Sequence, residues 1–327
     1  MRAIRLRGFG PADALEPAEV EDPRPGPGQV RIAVRAAGVQ LVDTLVRRGD
    51  GPWRPEPPLV PGSEVAGVVD AVGAGVPADW VGRRVVAQLG FAFGGYAELA
   101  VREADAVHVV PDGLSLDAAV AMVCTGATAV GVLDAAALRP DDVVLVTAAA
   151  GAVGHLLVQG AARLGAVVVG AAGCGEKRRT VLRSGAAVAV DYREPGWEDR
   201  VRLALGGREV GVVLDGVGGA VGRSALELVA PGGRVVMFGT SSGEPTEVST
   251  VDLFERALSV TVAVGPHVAR GSGGVRALEA RALADAAAGR FAPVVQAFPL
   301  AEAAAAHAAL ERRRTTGKVV LVPALGS

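Results

Sequence analysis

Between residues 142 and 239 short apolar runs alternate with helical segments, an order that few architectures accept. Residues 142–148 and 166–172 are apolar on both faces, and 186–191, 210–217 and 232–239 continue the series as strands. Between them 152–164, 176–184, 197–205 and 220–229 carry helical spacing. A strand buried on both faces needs helices above and below it, so this stretch predicts a doubly wound parallel sheet. Residues 258–265 add one more strand at its edge, and 275–289 read as a helix beyond.

The first 118 residues are different: short strands broken by glycine and proline. Residues 30–36 alternate apolar and polar or small side chains, 64–72 and 83–88 are similar, and the Pro-rich stretch 52–61 reads as loop. Near the end, 301–309 predicts a helix, and Lys318-Val-Val-Leu-Val predicts a strand that suits the β-rich part. With 327 residues the chain is long enough for two cores. Its formal charge of −2 creates no field for nucleic acid or an acidic membrane, which leaves small ligands. Cys124 and Cys174 are the only cysteines, so no disulfide scaffold exists and a reducing compartment fits. The opening residues carry no apolar stretch of signal-peptide length, and apolar runs such as 166–172 fall far short of the ~20 residues that cross a bilayer. No membrane partner and a cytoplasmic location are expected.

The most informative local motif is Thr147-Ala-Ala-Ala-Gly-Ala-Val-Gly154, which leaves a predicted strand and opens a predicted helix. Gly151 and Gly154 lack Cβ, so backbone can approach a pyrophosphate while free N–H groups at the helix start face it. Its form is Ala148-x-x-Gly151-x-x-Gly154 rather than the commoner three-glycine pattern. Sites for NAD hold the ribose 2′-hydroxyl with an acid at the end of the second strand. Here that place reads Ala171-Ala-Gly-Cys-Gly175, without an acid, and Glu176 is followed at once by Lys177, Arg178 and Arg179. A cation cluster there favours the 2′-phosphate of NADPH. Only two lysines, Lys177 and Lys318, and two tyrosines, Tyr96 and Tyr192, occur in a chain that has no asparagine.

Further segments fall in a recognisable order: the 38–49 stretch beginning Gly38-Val-Gln-Leu-Val-Asp-Thr, Pro61-Gly-Ser-Glu-Val-Ala-Gly-Val-Val69, Gly94-Gly-Tyr-Ala-Glu98, Thr128-Ala129, Leu214-Asp-Gly-Val-Gly-Gly219 and Thr316-Gly-Lys-Val-Val320. Over nearly its whole length the chain resembles the quinone oxidoreductase (zeta-crystallin-like) branch of the medium-chain dehydrogenase/reductase superfamily. That resemblance implies an α/β protein with a GroES-like, β-rich catalytic domain (1–118 and 266–327) interrupted by a Rossmann NADPH-binding domain (119–265), the active site lying between them. By position it implies that Gln40, Thr128, Gly151, Ala152, Val153, Lys177, Tyr192, Phe238, Gly239, Val264 and Lys318 line the cofactor, with Lys177 and Tyr192 at the 2′-phosphate.

Zinc dehydrogenases of the same superfamily carry a cysteine where Gln40 stands and Gly-His-Glu where Gly62-Ser63-Glu64 stands. Two cysteines cannot build a four-cysteine lobe, and His108, His155, His267 and His307 are dispersed, so no metal site is expected. Hydride transfer needs alignment and exclusion of water, then charge stabilisation at the acceptor oxygen and a proton. Gln40, Asp43 and Trp53 are the candidates for contacting the acceptor, Trp53 as an apolar lid or stacking wall. The tyrosine that related reductases place after the first motif is missing, which favours a quinone or α,β-unsaturated carbonyl acceptor. The alternatives are a biosynthetic enoyl reductase or tailoring enzyme on a larger substrate, and a non-catalytic NADPH-binding protein. The apolar edge strand at 258–265, unprotected by charge, predicts a homodimer.

Overall fold

The computed structural model describes residues 1–51, 54–269 and 272–324. The chain forms two compact units, Met1–Cys124 with Pro293–Ser327, and Thr125–Ala292. In chain order, β1 (Arg2–Leu6), β2 (Leu15–Glu19), β3 (Gln29–Val39), α1 (Leu41–Arg48), β4 (Glu64–Val72), β5 (Arg84–Gln88), β6 (Leu99–Glu103), β7 (His108–Val109) and α2 (Leu116–Ala121) belong to the first unit. The second holds α3 (Ala127–Ala136), β8 (Val143–Val146), α4 (Gly154–Arg163), β9 (Val167–Ala171), α5 (Gly175–Arg183), β10 (Val188–Val190), α6 (Trp197–Leu205), β11 (Val210–Asp215), α7 (Gly219–Glu227), β12 (Val229–Met237), α8 (Thr250–Arg256), β13 (Ser259–Val262) and α9 (Val275–Ala287). The chain then returns to the first unit with β14 (Val295–Pro299), α10 (Ala303–Glu311) and β15 (Lys318–Val322).

Two boundaries differ from those read in the sequence. The first unit extends to 124 rather than 118, and the second continues to 292 rather than 265. The reason is α9: its Leu278 is fully buried and lies against Gly131 of α3, so this helix completes the core of the second unit. The first division falls inside a π-helical segment, Met122–Gly126, that joins α2 to α3. The resulting helix, Leu116–Ala136, is 21 residues long and apolar enough to cross a membrane by length and composition, which corrects the expectation that every apolar run falls short. Two thirds of its most apolar window (67%) is buried within the protein, as in a core helix.

The second unit's sheet runs in the order β10-β9-β8-β11-β12-β13, every pair parallel. Val144, Leu145 and Val146 of β8 and Val212, Val213 and Leu214 of β11 are fully buried, as a sheet covered on both faces requires. The chain winds outward from β8 to β10, then returns to build β11, β12 and β13, so a topological switch point lies between β8 and β11.

In the first unit a seven-stranded sheet runs β14-β15-β3-β4-β5-β7, with β6 also on β3, and β1 and β2 form a separate hairpin. Its core gathers Ile4, Leu6, Ile32, Val65, Val85, Tyr96 and Leu321. One ion pair sits within: Lys318 of β15 binds Glu64 of β4, both essentially inaccessible. Gly38 of β3 faces that carboxylate, and a Cβ there would overlap it. Breaking a buried pair costs about 3–5 kcal/mol, because one charge is left without compensation. Gly38→Ala is therefore expected to lower unfolding free energy by about 3 kcal/mol or more in urea denaturation. Gly8→Ala, whose Cβ position has no neighbour within 4 Å, should change it by less than about 0.5 kcal/mol.

Candidate functional site

The cofactor residues predicted in the second unit lie, with one exception, at the carboxyl ends of its parallel strands. Gly151, Ala152 and Val153 follow β8, Lys177 is in the first turn of the helix after β9, and Tyr192 follows β10. Phe238 and Gly239 follow β12, and Val264 follows β13. Thr128, in the first turn of α3, is the exception. Backbone hydrogen bonds stitch the strand ends together: Ala149 N–H donates to the Ala171 carbonyl at 3.0 Å, and Ala172 N–H to that of Val190 at 2.9 Å. Three neighbouring strand ends are thereby held in one row.

The Gly-rich loop has its own supports. Ala148 is left-handed (φ 49°), a strained choice for a residue with Cβ, and Gly154 approaches its carbonyl so closely that a Cβ would overlap. Buried His155 holds the turn, its Nδ1 lying 2.8 Å from the Gly151 carbonyl. Burial lowers its pKa to about 4, so the neutral ring donates that bond. His155, 1% exposed, is a packing residue. Asp215, at the end of β11, joins both sides of the switch point. Its carboxylate accepts from Thr147 Oγ1 and Thr246 Oγ1, each at 2.6 Å, and from the N–H groups of Val217 and Gly218. The Thr147 hydroxyl in turn accepts from Gly216 N–H at 2.9 Å. The reading of the motifs assigned neither Asp215 nor the two threonines a role. Asp215 stands inside the Leu214–Gly219 motif and Thr147 heads the Gly-rich motif, while Thr246 belongs to neither.

At the ends of β9 and β10 the structure corrects the reading that no acid is present. Asp191, buried, accepts from Cys174 N–H at 2.9 Å, which places a carboxylate against the β9 end from the neighbouring strand. Arg193 grips it with Nε at 3.0 Å and Nη2 at 2.8 Å. The Arg193 guanidinium, foremost, holds this carboxyl far below the usual carboxylate range. The acid lies only 17 residues beyond Cys174 in sequence, but β10 had to be placed beside β9 before it mattered.

In the first unit Gln40 precedes α1 as its N-cap and is partly exposed. Asp43 closes the cap: its Oδ2 accepts Gln40 N–H at 2.8 Å and the Tyr96 hydroxyl at 3.0 Å. The Tyr96 oxygen lies 3.0 Å from His307 Nε2, and the rings meet edge to face. Asp43, Tyr96 and His307 are all buried, and His307 Nδ1 has no partner among the described residues. Burial raises the Asp43 pKa to about 6, against the opposing pull of Gln40 N–H and of the Lys318 charge. Burial likewise pushes Tyr96 well above its ordinary range, and it lowers His307 to about 3 with help from the Arg47 charge. With His307 neutral, a chain of Nε2–H to Tyr96 to Asp43 pairs the ring nitrogen Nε2, the phenol and the carboxylate, and leaves Nδ1 unpartnered among the described residues.

These positions revise two candidate roles. Asp43 is inside the unit rather than on a surface that an acceptor reaches. Lys318, expected to line the cofactor, is buried with its ammonium committed to Glu64. Trp53 lies outside the described residues. No group of three or more His, Cys, Asp and Glu side chains gathers as a metal-binding set among the described residues. A groove of about 840 Å3 on the first unit, bordered by Ile4, Pro17, Phe298 and Leu300, is lined by none of the candidate residues.

Residues 26–112 match the family described as alcohol dehydrogenase GroES-like domain, and 152–279 match the zinc-binding dehydrogenase family. The chain is 35% identical to a quinone oxidoreductase of Pseudomonas aeruginosa, over 98% of this chain and 99% of the relative. It is also 35% identical to a 2-haloacrylate reductase of a Burkholderia species, over 99% of each. The crystal structure of Escherichia coli quinone oxidoreductase complexed with NADPH superposes with a TM-score of 0.87 at 31% identity, covering 99% of this chain and 100% of that one. With ordered motifs, a paired GroES-like and dinucleotide-type fold and full-length identity in agreement, the chain belongs to the quinone oxidoreductase branch of the medium-chain dehydrogenase/reductase superfamily.

Proposed function

We propose that the protein is a zinc-independent, NADPH-dependent reductase of quinones or α,β-unsaturated carbonyl compounds. The observation that carries the reading is the row of strand ends in the second unit, where the Gly-rich loop, Lys177 and Tyr192 follow neighbouring strands β8, β9 and β10. The Gly151–Gly154 turn leaves room for backbone to approach a diphosphate at the start of α4. Lys177, in the first turn of α5, adds the cation that a 2′-phosphate needs. Bound there, NADPH supplies the hydride; this chain supplies orientation, charge and exclusion of water. The relatives named quinone oxidoreductase and 2-haloacrylate reductase support an acceptor with a polarised double bond.

Zinc does not fit the residues present. Gln40 and Ser63 offer an amide and a hydroxyl where a catalytic zinc needs thiolate and imidazole, and no step is derived through a metal. Gln40 is the residue we assign to the acceptor or the cofactor ribose, as an amide donor. Asp43 is then a positioning residue, since it fixes the Gln40 backbone through the helix cap and is itself held by Tyr96. We further propose a homodimer formed through β13. Among the described residues that strand pairs only with β12, and it exposes Ser259, Thr261 and Val262, while α8 nearby exposes Phe254. An open apolar edge is normally covered, and two-fold pairing covers it.

Oxidation of NADPH should exceed that of NADH at least ten-fold in kcat/KM with a naphthoquinone acceptor, and incubation with EDTA should leave the rate unchanged. Binding of NADPH without turnover on quinones or enones would instead favour a non-catalytic role. For Asp43 the sign follows from its raised pKa. The folded state keeps the proton above the ordinary value of 3.8, so this contribution to stability is present below pH 4 and is lost as pH rises through about 6. Asp43→Asn should remove that slope: relative to wild type, denaturant stability should improve by about 2 kcal/mol between pH 4 and pH 7.5. Activity should fall at the same time, because the Gln40 cap loosens. Light scattering at micromolar concentration should give twice the 32.9 kDa chain mass, and a monomer would contradict the edge pairing.

A further inference from the structure

The proposed preference for a phosphorylated cofactor meets an obstacle in the fold itself. A carboxylate at the end of the second strand is the feature that selects a ribose hydroxyl and repels a 2′-phosphate. Asp191 stands against that strand end, held by Cys174 N–H, although it comes from β10. Left uncovered, it would make this a site for the unphosphorylated dinucleotide.

Arg193 covers it. The Asp191 carboxylate accepts four N–H bonds: Cys174 N–H at 2.9 Å, Arg193 N–H at 3.0 Å, and Arg193 Nε and Nη2 at 3.0 and 2.8 Å. A carboxylate has about four acceptor sites, so none is left for a sugar hydroxyl. The guanidinium has five N–H donors, of which two are spent on this fork, and its side chain is 58% exposed. The backbone makes room for this arrangement. A Cβ at Gly173 would lie 2.8 Å from Arg193 Nε and 3.2 Å from Cζ, so a larger residue there would push the guanidinium from its present place. Cys174 follows with φ 71°, which turns its N–H toward Asp191. Gly173 and Cys174 lead into the helix that carries Lys177.

We propose that Arg193 is a specificity-determining residue: it masks Asp191 and presents its remaining N–H donors, with Lys177, to the 2′-phosphate of the cofactor. The inference rests on the NADPH reading and deepens it. It assigns two functions to one side chain, cancelling an acid that favours the wrong cofactor and binding the group that distinguishes the right one. An arginine suits both because its planar fork engages one oxyanion along one edge and keeps donors for another.

The test uses the whole protein and two probes, 2′,5′-ADP and 5′-AMP, titrated calorimetrically, alongside kcat/KM for NADPH and NADH. Arg193→Ala should weaken 2′,5′-ADP by roughly 10- to 100-fold and leave 5′-AMP unchanged or tighter. NADH should gain relative to NADPH by a similar factor. Adding Asp191→Asn to Arg193→Ala should restore part of the 2′,5′-ADP affinity, since the exposed acid is then gone. Asp191→Asn alone should keep the preference, and Arg193→Lys should keep only part of it. A wild type that binds both probes equally would overturn the NADPH reading and this assignment together. A wild type that prefers 2′,5′-ADP while Arg193→Ala keeps the same preference overturns this assignment alone. No recovery in the double variant removes the masking role. Melting curves of each variant separate these outcomes from misfolding.

Discussion

The buried carboxylate of Asp215 carries the geometry on which the second unit's site depends. The switch point of a doubly wound sheet is where two strands diverge in connection, and the departing loops there need a hold that adds to backbone ties such as Thr147 N–H to the Leu214 carbonyl at 3.0 Å. Asp215 supplies that hold with neutral donors: two threonine hydroxyls and two backbone N–H groups. Because Thr147 opens the Gly-rich loop and Thr246 lies far along the chain, one side chain ties three segments together. Gly222 of α7 passes so near that a Cβ would overlap both Asp215 and Thr246. The loop after β8 is preorganised by these contacts, which lowers the cost of ordering it around a ligand.

Six acids are buried among the described residues, and four of them are compensated in different ways. Asp215 is satisfied by neutral donors, Glu64 by the Lys318 ammonium, Asp191 by the Arg193 fork, and Asp43 by a helix cap and a phenol. The physical consequences differ accordingly. Asp191, gripped by the Arg193 guanidinium, stays ionised far below the usual carboxylate range. Desolvation drives Asp43 the other way, to about 6, and its charge costs stability near neutral pH. Of these two, the neutralised acid belongs to the end of β10 and the titrating one to the cap beneath Gln40.

Much of the architecture was legible. The strand at 64–72 and the helix at 197–205 have the bounds read from the residues, since periodicity and flanking glycines state them directly. Strands β8 to β13 and the helices α4 to α7 fall within two or three residues of expectation for the same reason, while α8, at Thr250–Arg256, was not read. The unit boundary at 265 was misplaced because α9 reads as any amphipathic helix, and only its packing against α3 says which core it completes. The 116–136 helix escaped notice because Thr125, Gly126 and Thr128 break its apolar pattern, while the backbone passes through them as a π turn without ending.

The site divides along the same line. Residue order alone determined the Gly-rich turn after β8, the lysine after β9, the tyrosine after β10 and the lack of zinc ligands at Gln40 and Ser63, because each is a matter of residue type at a fixed chain spacing. Tertiary structure decided what the charges do. Asp191 reaches the β9 end only because β10 lies beside β9, Lys318 is silenced by a glutamate 254 residues away, and Asp43 is sealed in by Tyr96 and His307 from two other segments. Electrostatic energy depends on distance through space and on desolvation, and neither quantity is written in the order of residues along the chain.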